Sequence, residues 1–151
     1  MHVLSASPLQ TEALARKLAE LLRPGDVITL EAPLGGGKTT FVRGLATGLG
    51  VSEDEVSSPT FVIWQIYPGR LRLHHLDAYR LSSAEELEEI GFPETLAGGD
   101  VVVLEWPGIA DPLLPADRLH VRIDYGPGED ERSLDFEGRG TWKQRLEQWH
   151  P

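Results

Sequence analysis

The pattern of apolar and polar positions predicts alternating helices and strands in the first third of the chain. Residues 27–30 are a short, β-branched apolar run, typical of a buried parallel strand. Residues 7–22 before it carry leucines at helical spacing behind a Ser-Pro-Leu-Gln helix start, and Arg-Pro-Gly at 23–25 ends that pattern. A second helix is predicted after the strand from four apolar residues on one face: Phe41, Val42, Leu45 and Leu49.

The rest of the chain predicts two hairpins, with one apolar strand between them. Residues 61–67 and 71–78 are strand-like and joined by Pro68-Gly69, which is a tight-turn signal. Residues 118–125 and 133–136 form a second such pair around Gly-Pro-Gly at 126–128. Four consecutive apolar residues at 101–104 predict a buried strand. The remaining predictions are an acidic connector at 51–56, short helices near 83–90 and 92–96, a loop at 112–115 and a last helix at 142–149.

This order of elements predicts an α/β fold of the P-loop NTPase type. Its central sheet is expected to be mainly parallel and flanked by helices, with antiparallel additions from the two hairpins. There are no repeats and no linker long enough to divide the chain, so residues 1–151 are predicted to form a single domain.

The segment between the first predicted strand and the second helix carries the strongest chemical signal. Residues 33–40 are Pro-Leu-Gly-Gly-Gly-Lys-Thr-Thr, and a glycine loop with Lys-Thr between strand and helix predicts a phosphate-binding loop. Glycines let backbone N–H groups turn inward as an anion nest at the positive end of a helix. Lys38 is expected to reach the β- and γ-phosphates, and the Thr39 hydroxyl to hold Mg²⁺. Ala32 departs from the pattern, because the motif spacing has glycine there.

Glu105 supplies the second part of a nucleotide site. It ends the apolar run at 101–104, and a buried strand that delivers a carboxylate to the Mg²⁺ shell is the second signature of phosphate-loop proteins. We therefore expect the nucleotide at the carboxyl ends of the strands that bear Ala32 and Glu105. The alternative, a glycine-rich turn that binds nothing, does not account for three glycines followed by Lys-Thr-Thr.

Composition limits the classes of function. The net charge of -10 argues against autonomous binding of nucleic acid, so any RNA is expected to be held by a partner. The absence of cysteine excludes disulfides and thiolate metal sites. No apolar run approaches the roughly 20 residues of a membrane span, and residues 1–10 lack the features of an export signal. A cytoplasmic protein without a membrane segment is the expectation.

Three further motifs identify a family. They are Ser-Pro-Thr-Phe at 58–61, His-Leu-Asp-Ala-Tyr-Arg-Leu at 75–81 and Glu-Trp-Pro at 105–107, around a loop that reads LGGGKTTFVRGL. In this order they closely resemble the TsaE (YjeE) family, bacterial ATPases required for the threonylcarbamoyladenosine modification of tRNA. The resemblance extends from the first helix to at least Tyr125. Ala32 and Pro33 replace the Gly-Asp that is usual in the family.

The resemblance implies a set of site residues, cofactors and partners. The cofactors are ATP or ADP and Mg²⁺, with Thr39 and Glu105 as metal ligands. Asp77 and Thr60 would sense or position the γ-phosphate, Trp106 would lie beside the site, and Thr11 would touch the adenine side. The partners would be TsaD-like and TsaB-like proteins, and this chain would contact tRNA only indirectly, through them. ATP hydrolysis would reset the TsaD–TsaB complex. The implied phosphate-binding residues are Gly35, Gly36, Gly37, Lys38, Thr39 and Thr40.

The motifs allow more than one role for several of these residues. Lys38 is expected to neutralise developing charge, and either Asp77 or Glu105 to orient the attacking water. Asp77 could instead cap a turn, and Trp106 could be a core residue, although its place beside Glu105 favours the site or a partner interface. His75 is interpreted as a packing or hydrogen-bonding residue, because Mg²⁺ prefers oxygen ligands. The remaining interpretations are Tyr79 in the core, Arg80 near phosphate or in a surface ion pair, and Trp64, Trp142 and Trp149 as packing residues.

Two other functions are compatible with these motifs. One is a small phosphate-loop kinase, which would need an acceptor pocket and an arginine-bearing lid that the hairpin at 61–78 does not resemble. The other is a nucleotide-dependent adaptor in which hydrolysis is incidental. No arginine finger is evident in the sequence, which favours slow turnover and activation by a partner.

Overall fold

Seven strands form one mixed sheet in the computed structural model, which describes residues 1–56 and 63–151. Across the sheet their order is β1-β7-β6-β2-β5-β4-β3. Strands β6, β2, β5 and β4 are parallel neighbours, whereas the pairs β1–β7, β7–β6 and β3–β4 are antiparallel. The predicted α/β fold is therefore confirmed, with the β3–β4 hairpin at one edge and the β6–β7 hairpin next to β1, which forms the other edge. The strands are β1 (His2–Ser5), β2 (Val27–Glu31), β3 (Trp64–Pro68), β4 (Arg72–Asp77), β5 (Val101–Glu105), β6 (Arg118–Tyr125) and β7 (Arg132–Arg139).

Helices cover both faces of this sheet. The five α-helices of the described residues are α1 (Pro8–Ala19), α2 (Lys38–Gly48), α3 (Ala84–Glu89), α4 (Phe92–Ala97) and α5 (Trp142–Glu147). Helices α1, α2 and α5 share one apolar core with β2, β5, β6 and β7. Helices α3 and α4 and a 3₁₀ segment, Pro107–Leu113, form a second core on the other face. Within the described part of the chain, no helix has the length and apolar character needed to cross a membrane.

Helices α1 and α2 run parallel and pack closely through two glycines of α2. A Cβ atom on Gly44 would lie 2.3 Å from the carbonyl oxygen of Glu12, and one on Gly48 would lie 2.8 Å from that of Arg16. From the first contact to the second, the position moves four residues toward the C-terminus in both α1 and α2, so the two helices run in the same direction. Their N-termini therefore lie at the same end of the sheet, beyond the carboxyl end of β2.

We expect Gly44→Ala to lower the free energy of unfolding by about 1–3 kcal/mol, because the added methyl group would force α1 and α2 apart. The methyl group cannot avoid the Glu12 carbonyl, which belongs to the backbone of α1. The measurement is chemical denaturation followed by circular dichroism. The control is Gly108→Ala, since a Cβ there meets nothing within 4 Å. Equal unfolding midpoints for the two variants would contradict the close helix contact.

The structure corrects some of the predicted boundaries. Helix α1 was expected to reach residue 22, but its last α-helical residue is Ala19. The amides of the next residues bond three residues back instead of four, for example Leu22 N to Ala19 O at 3.2 Å, so the last turn is tightened. The predicted loop at 112–115 begins inside the 3₁₀ segment, and the connector at 51–56 contains a 3₁₀ turn, Glu53–Glu55. Strand β7 is longer than the predicted 133–136, and α5 is shorter than 142–149.

Strand β1 was not predicted. It has four residues, lies at the edge of the sheet and buries only Ser5 fully, so it lacks an apolar run. It pairs with β7 in the register His2 to Asp135, and the amino group of Met1 donates to the carbonyl oxygen of Phe136 at 2.7 Å. Its partners are in β7, near the other end of the chain, and the periodicity of a short segment carries no information about such distant pairing. Residues 61 and 62 of the first predicted hairpin lie outside the described residues.

Candidate functional site

The glycine loop between β2 and α2 has the backbone shape of an anion-binding turn. Gly35 and Gly37 have φ angles of 72° and 104°, in the left-handed region that favours glycine. The N–H of Gly36 donates to the carbonyl oxygen of Pro33 at 2.8 Å, and a Cβ on Gly36 would come within 2.8 Å of that oxygen. Gly35 and Gly37 are therefore required by their backbone conformation and Gly36 by the close Pro33 carbonyl, and the loop leads directly into the N-terminus of α2.

Ala32 is compatible with this loop. Among the described residues, the only side-chain-bearing residue with a positive φ is Trp106, so Ala32 has an ordinary backbone conformation. Its side chain is buried, and it belongs to the core beneath α1 and α2. The missing first glycine of the motif thus leaves the entry of the loop unstrained.

Lys38 is the first residue of α2 and folds back over the loop. Its Nζ donates to the carbonyl oxygens of Ala32 at 3.2 Å and Pro33 at 3.3 Å. The same ammonium group lies 4.8 Å from the ring centroid of Trp106, at cation–π distance. Trp106 has a left-handed backbone (φ 57°, ψ 60°), a strained conformation that turns the chain directly after Glu105. The structure therefore brings Lys38 and Trp106 together.

Tyr79 is not a core residue, contrary to the prediction. Its side chain is 55% exposed and packs against Trp106, with ring centroids 5.1 Å apart and ring planes tilted by 49°. Strand β4 ends at Asp77, so Tyr79 lies two residues beyond the buried part of the sheet. Lys38, Trp106 and Tyr79 are therefore contiguous neighbours beside the loop.

The carboxyl ends of β2, β5 and β4 bring two acidic residues to the loop. Glu105 is paired in register with Leu30 of β2 on one side and with Asp77 of β4 on the other. It is only 2% exposed, and its Oε1 lies 2.7 Å from Nε2 of His75, which is also buried. His75 is thus a hydrogen-bonding residue, and it holds the Glu105 carboxylate in one orientation. Its other ring nitrogen, Nδ1, is buried and has no hydrogen-bond partner among the residues that the structure describes.

Asp77 is the more accessible of the two acids. Its Oδ1 accepts the backbone N–H of Tyr79 at 2.9 Å, so it does cap the turn after β4. Burial raises the pKa of Asp77 above its ordinary value, and the charge of Glu105 raises it further. The Tyr79 N–H, His75 and Lys38 act in the opposite direction. The turn-capping bond uses only one of the two carboxyl oxygens of Asp77, so the second can contact another group. The predicted role of Asp77 in sensing or positioning the γ-phosphate stays a prediction.

The predicted threonines occupy different surroundings. Thr39 and Thr40 lie partly exposed in the first turn of α2, next to the glycine loop. Thr11 is buried in the first turns of α1, and its hydroxyl lies 2.7 Å from that of Ser5. Thr60 lies outside the described residues. The roles assigned to these four residues remain predictions.

Two residues that the sequence did not single out contact the loop from the β6–β7 hairpin. The hydroxyl of Tyr125 donates to the carbonyl oxygen of Leu34 at 2.5 Å. Nε of Arg132 donates to the carbonyl oxygen of Gly36 at 3.0 Å. The sequence points to these two residues only indirectly, through the predicted hairpin. They are opposite each other at the end of that hairpin, and its first strand is the neighbour of β2, which leads into the loop.

The residues at the loop fit a magnesium–nucleotide pair by their chemistry. Mg²⁺ prefers oxygen ligands and commonly takes one or two from the protein and the rest from phosphate and water. The hydroxyl of Thr39 and the carboxylate of Glu105 are ligands of that kind, and the loop offers backbone N–H groups and the Lys38 ammonium to phosphate. Within residues 1–56 and 63–151, no group of three or more His, Asp and Glu is arranged to hold a metal by itself.

A cleft of about 620 Å³ adjoins this site. It lies between the 3₁₀ segment and β2 and β6, and Trp106 and Tyr79 form part of its wall. The other wall carries Thr29 and His120, whose Oγ1 and Nδ1 atoms are 2.9 Å apart. The glycine loop itself does not line this cleft.

Comparison with known proteins gives the same family that the motifs indicate. The family model described as threonylcarbamoyl adenosine biosynthesis protein TsaE matches residues 5–134. The tRNA threonylcarbamoyladenosine biosynthesis protein TsaE of Bacillus subtilis is 42% identical over 138 residues, which are 91% of this chain and 85% of the relative. The protein of the same name from Streptomyces coelicolor is 45% identical over 120 residues, 77% of this chain and 80% of the relative.

A solved structure agrees with the sequence relatives. The crystal structure of Bacillus subtilis YdiB is similar with a TM-score of 0.80 and 35% sequence identity, and the match covers 98% of this chain and 92% of that one. The chain that carries the glycine loop, Lys38, the two acidic residues and Trp106 thus matches one family in both sequence and fold. The chain belongs to the TsaE family of threonylcarbamoyl adenosine biosynthesis proteins.

Proposed function

We propose that this protein binds ATP with Mg²⁺ and hydrolyses it slowly, as an accessory protein of tRNA N6-threonylcarbamoyladenosine modification at adenosine 37. The observation that carries the proposal is the convergence of Lys38, Glu105 and Asp77 on one glycine loop, in a chain of the TsaE family. The names of the relatives from Bacillus subtilis and Streptomyces coelicolor include tRNA threonylcarbamoyladenosine biosynthesis, which supports this part of the proposal.

The loop accounts for phosphate binding. Lys38 gives only weak hydrogen bonds in the present arrangement, at 3.2 and 3.3 Å to neutral carbonyls. A triphosphate would offer charged oxygens in their place, and charge-assisted bonds are roughly twice as strong as neutral ones. Lys38 is therefore expected to leave Ala32 and Pro33 for the β- and γ-phosphates, while Thr39 and Thr40 close the site at the helix N-terminus.

Hydrolysis needs a positioned water, and Asp77 is the better placed acid for it. Glu105 is buried and held by His75, which suits a fixed metal ligand, whereas Asp77 keeps one carboxyl oxygen outside its turn-capping bond. When bound by Thr39 and Glu105, Mg²⁺ would neutralise charge on the phosphate oxygens. Asp77 would orient the water that attacks the γ-phosphate, Lys38 would stabilise the charge that develops, and Trp106 would screen one side from solvent.

The partners in this proposal are TsaD-like and TsaB-like proteins. The negative net charge of the chain disfavours direct tRNA binding, so contact with tRNA through such partners suits its electrostatics. Nucleotide binding and hydrolysis would then reset the partner complex between rounds of modification.

The proposal is tested by calorimetry and by phosphate release. Titration with ATP or ADP in the presence of Mg²⁺ is expected to give heat and a single site. Phosphate release is expected to be slow for the isolated chain and faster when TsaD and TsaB proteins are added. Stoichiometric phosphate transfer to a small molecule without phosphate release would replace the proposal by a kinase. No heat with either nucleotide would contradict it entirely.

Glu105→Gln separates hydrolysis from nucleotide-dependent binding. We expect turnover to fall by about 100-fold or more, because a carboxylate that supports the transition state loses its charge. Partner capture with ATP and restoration of tRNA modification in cells are measured with the same variant. If modification persists while turnover is lost, the protein acts as an adaptor and its hydrolysis is incidental. Glu31→Gln, an exposed acid at the end of β2, is the matched control.

A further inference from the structure

The β6–β7 hairpin reaches the glycine loop through two side chains that its register brings together. Tyr125 and Arg132 are directly opposite each other at the last pair of the ladder. The guanidinium of Arg132 lies 5.0 Å from the ring centroid of Tyr125, at cation–π distance. One Nη of Arg132 also donates to the carbonyl oxygens of Glu129 at 2.9 Å and Glu131 at 2.7 Å. These bonds fix the arginine at the hairpin turn.

Both side chains bond the backbone of the loop. Tyr125 donates to the carbonyl oxygen of Leu34 and Arg132 to that of Gly36. In a planar trans peptide the carbonyl of one residue and the N–H of the next point in opposite directions. Holding these two carbonyls toward the hairpin therefore turns the N–H groups of Gly35 and Gly37 away from it. Gly35 and Gly37 are the two left-handed glycines of the loop.

We propose that Tyr125 and Arg132 are positioning residues of the nucleotide site, which hold the glycine loop from outside so that the N–H groups of Gly35 and Gly37 are aligned for phosphate before it binds. This inference rests on the proposed function and adds to it two residues outside the phosphate-loop motif. Both side chains act through the loop backbone and not by contact with the nucleotide.

The physical gain is preorganisation. Glycine has more conformational freedom than any other residue, and three glycines in succession would otherwise have to be ordered when the phosphate arrives. The hydrogen bond from Gly36 N to Pro33 O orders the middle of the loop, and the hairpin bonds order the peptide units on either side of it. Because these peptide units are already ordered, the loop loses less conformational entropy when phosphate binds. The expected consequence is a higher affinity for the nucleotide.

Tyr125→Phe is the cleaner test, because it removes one hydroxyl from a half-exposed side chain and keeps the ring beneath Arg132. Affinity for ADP and for a slowly hydrolysed ATP analogue with Mg²⁺ is measured by calorimetry. We expect it to fall roughly fivefold to tenfold, as for the loss of one hydrogen bond of about 1–1.4 kcal/mol. Arg132→Met is expected to weaken binding by at least as much.

Two further measurements separate positioning from a general structural effect. ¹H–¹⁵N spectra of the nucleotide-free protein are expected to show shifted or broadened amide signals of Gly35 and Gly37 in Tyr125→Phe. The free energy of unfolding is expected to stay close to that of the unchanged protein. Arg122→Met is the control, since it removes the same charge from an exposed side chain of β6 that makes no contact with Leu34 or Gly36 among the described hydrogen bonds.

The outcomes are distinct. Weaker nucleotide binding together with altered Gly35 and Gly37 amides, both absent in Arg122→Met, would support the inference. Unchanged affinity in Tyr125→Phe and Arg132→Met would overturn it and leave the proposed function intact. Weaker binding that only follows a loss of folding stability, with loop amides unchanged, would also overturn it. If the unchanged protein binds no nucleotide, the proposed function fails, and the inference fails with it.

Discussion

Replacing Lys38 with methionine is expected to weaken the binding of ATP and ADP by roughly 100-fold or more. Two charge-assisted hydrogen bonds to phosphate contribute about 3 kcal/mol or more together, and each 1.4 kcal/mol is a factor of ten in affinity. Methionine retains most of the length of the side chain but lacks the ammonium group, and with it the cation–π contact with Trp106. The measurement is calorimetric titration in the presence of Mg²⁺.

The geometry of the free site predicts that this variant folds normally. Lys38 gives only long bonds to Ala32 and Pro33, and Nζ is not part of a buried ion pair. The free energy of unfolding should therefore change by less than about 1 kcal/mol. Lys17→Met, which removes an equal charge from the exposed face of α1, is expected to bind nucleotide normally. Binding by Lys38→Met within threefold of the unchanged chain would show that the loop does not grip phosphate as proposed.

Local patterns predicted the parts of this protein whose structure is decided locally. Buried parallel strands are continuous apolar runs, so β2 and β5 were recognised, and with them the positions of the glycine loop and Glu105. Both hairpins followed from turn residues between strand-like segments. The convergence of the loop and Glu105 then follows from sheet topology, because the carboxyl ends of adjacent parallel strands meet at one edge.

Contacts between distant parts of the chain were not predictable in this way. The bond from His75 to Glu105 depends on the register of β4 against β5, and the contacts of Tyr125 and Arg132 depend on how the hairpin lies against the loop. Tyr79 was interpreted as a core residue, but the strand before it ends two residues earlier and its side chain is largely exposed. In each case the sequence shows a residue that can form a hydrogen bond or a ring contact. The residue that it contacts depends on how distant strands and loops come together in the fold.

A long-range contact of this kind is the buried ion pair that joins the residue before β2 to α5, and we expect Arg145→Met to lower the free energy of unfolding by about 3–5 kcal/mol. Asp26, the residue before β2, and Arg145, in α5, are 119 residues apart and form two bonds of 2.7 Å. They are only 9% and 6% exposed, so the variant would leave a buried carboxylate without its partner. Chemical denaturation at neutral pH measures the loss.

The pair is also part of the packing at the amino end of β2, the opposite end from the glycine loop. Arg145 donates to the carbonyl oxygen of Leu21 at 3.0 Å and stacks on Trp142 at 3.7 Å, so it joins the end of α1 to α5. Because the lost stability comes mainly from an unpaired charge, the double variant Asp26→Asn with Arg145→Met should recover a large part of it. Asparagine can still accept the backbone N–H of Arg23, which now donates to Asp26 at 2.7 Å.

An exposed ion pair provides the comparison for this prediction. Arg139 and Glu137 lie 3.0 Å apart on β7 with both side chains largely in solvent, and such pairs contribute at most about 1 kcal/mol. Arg139→Met should therefore change the unfolding midpoint little. If Arg145→Met is no more destabilising than Arg139→Met, solvent must reach Asp26 in the folded protein, and α5 is not anchored to β2 by charge. If it is as destabilising as expected, the last helix is an integral support of the strand that carries the phosphate loop.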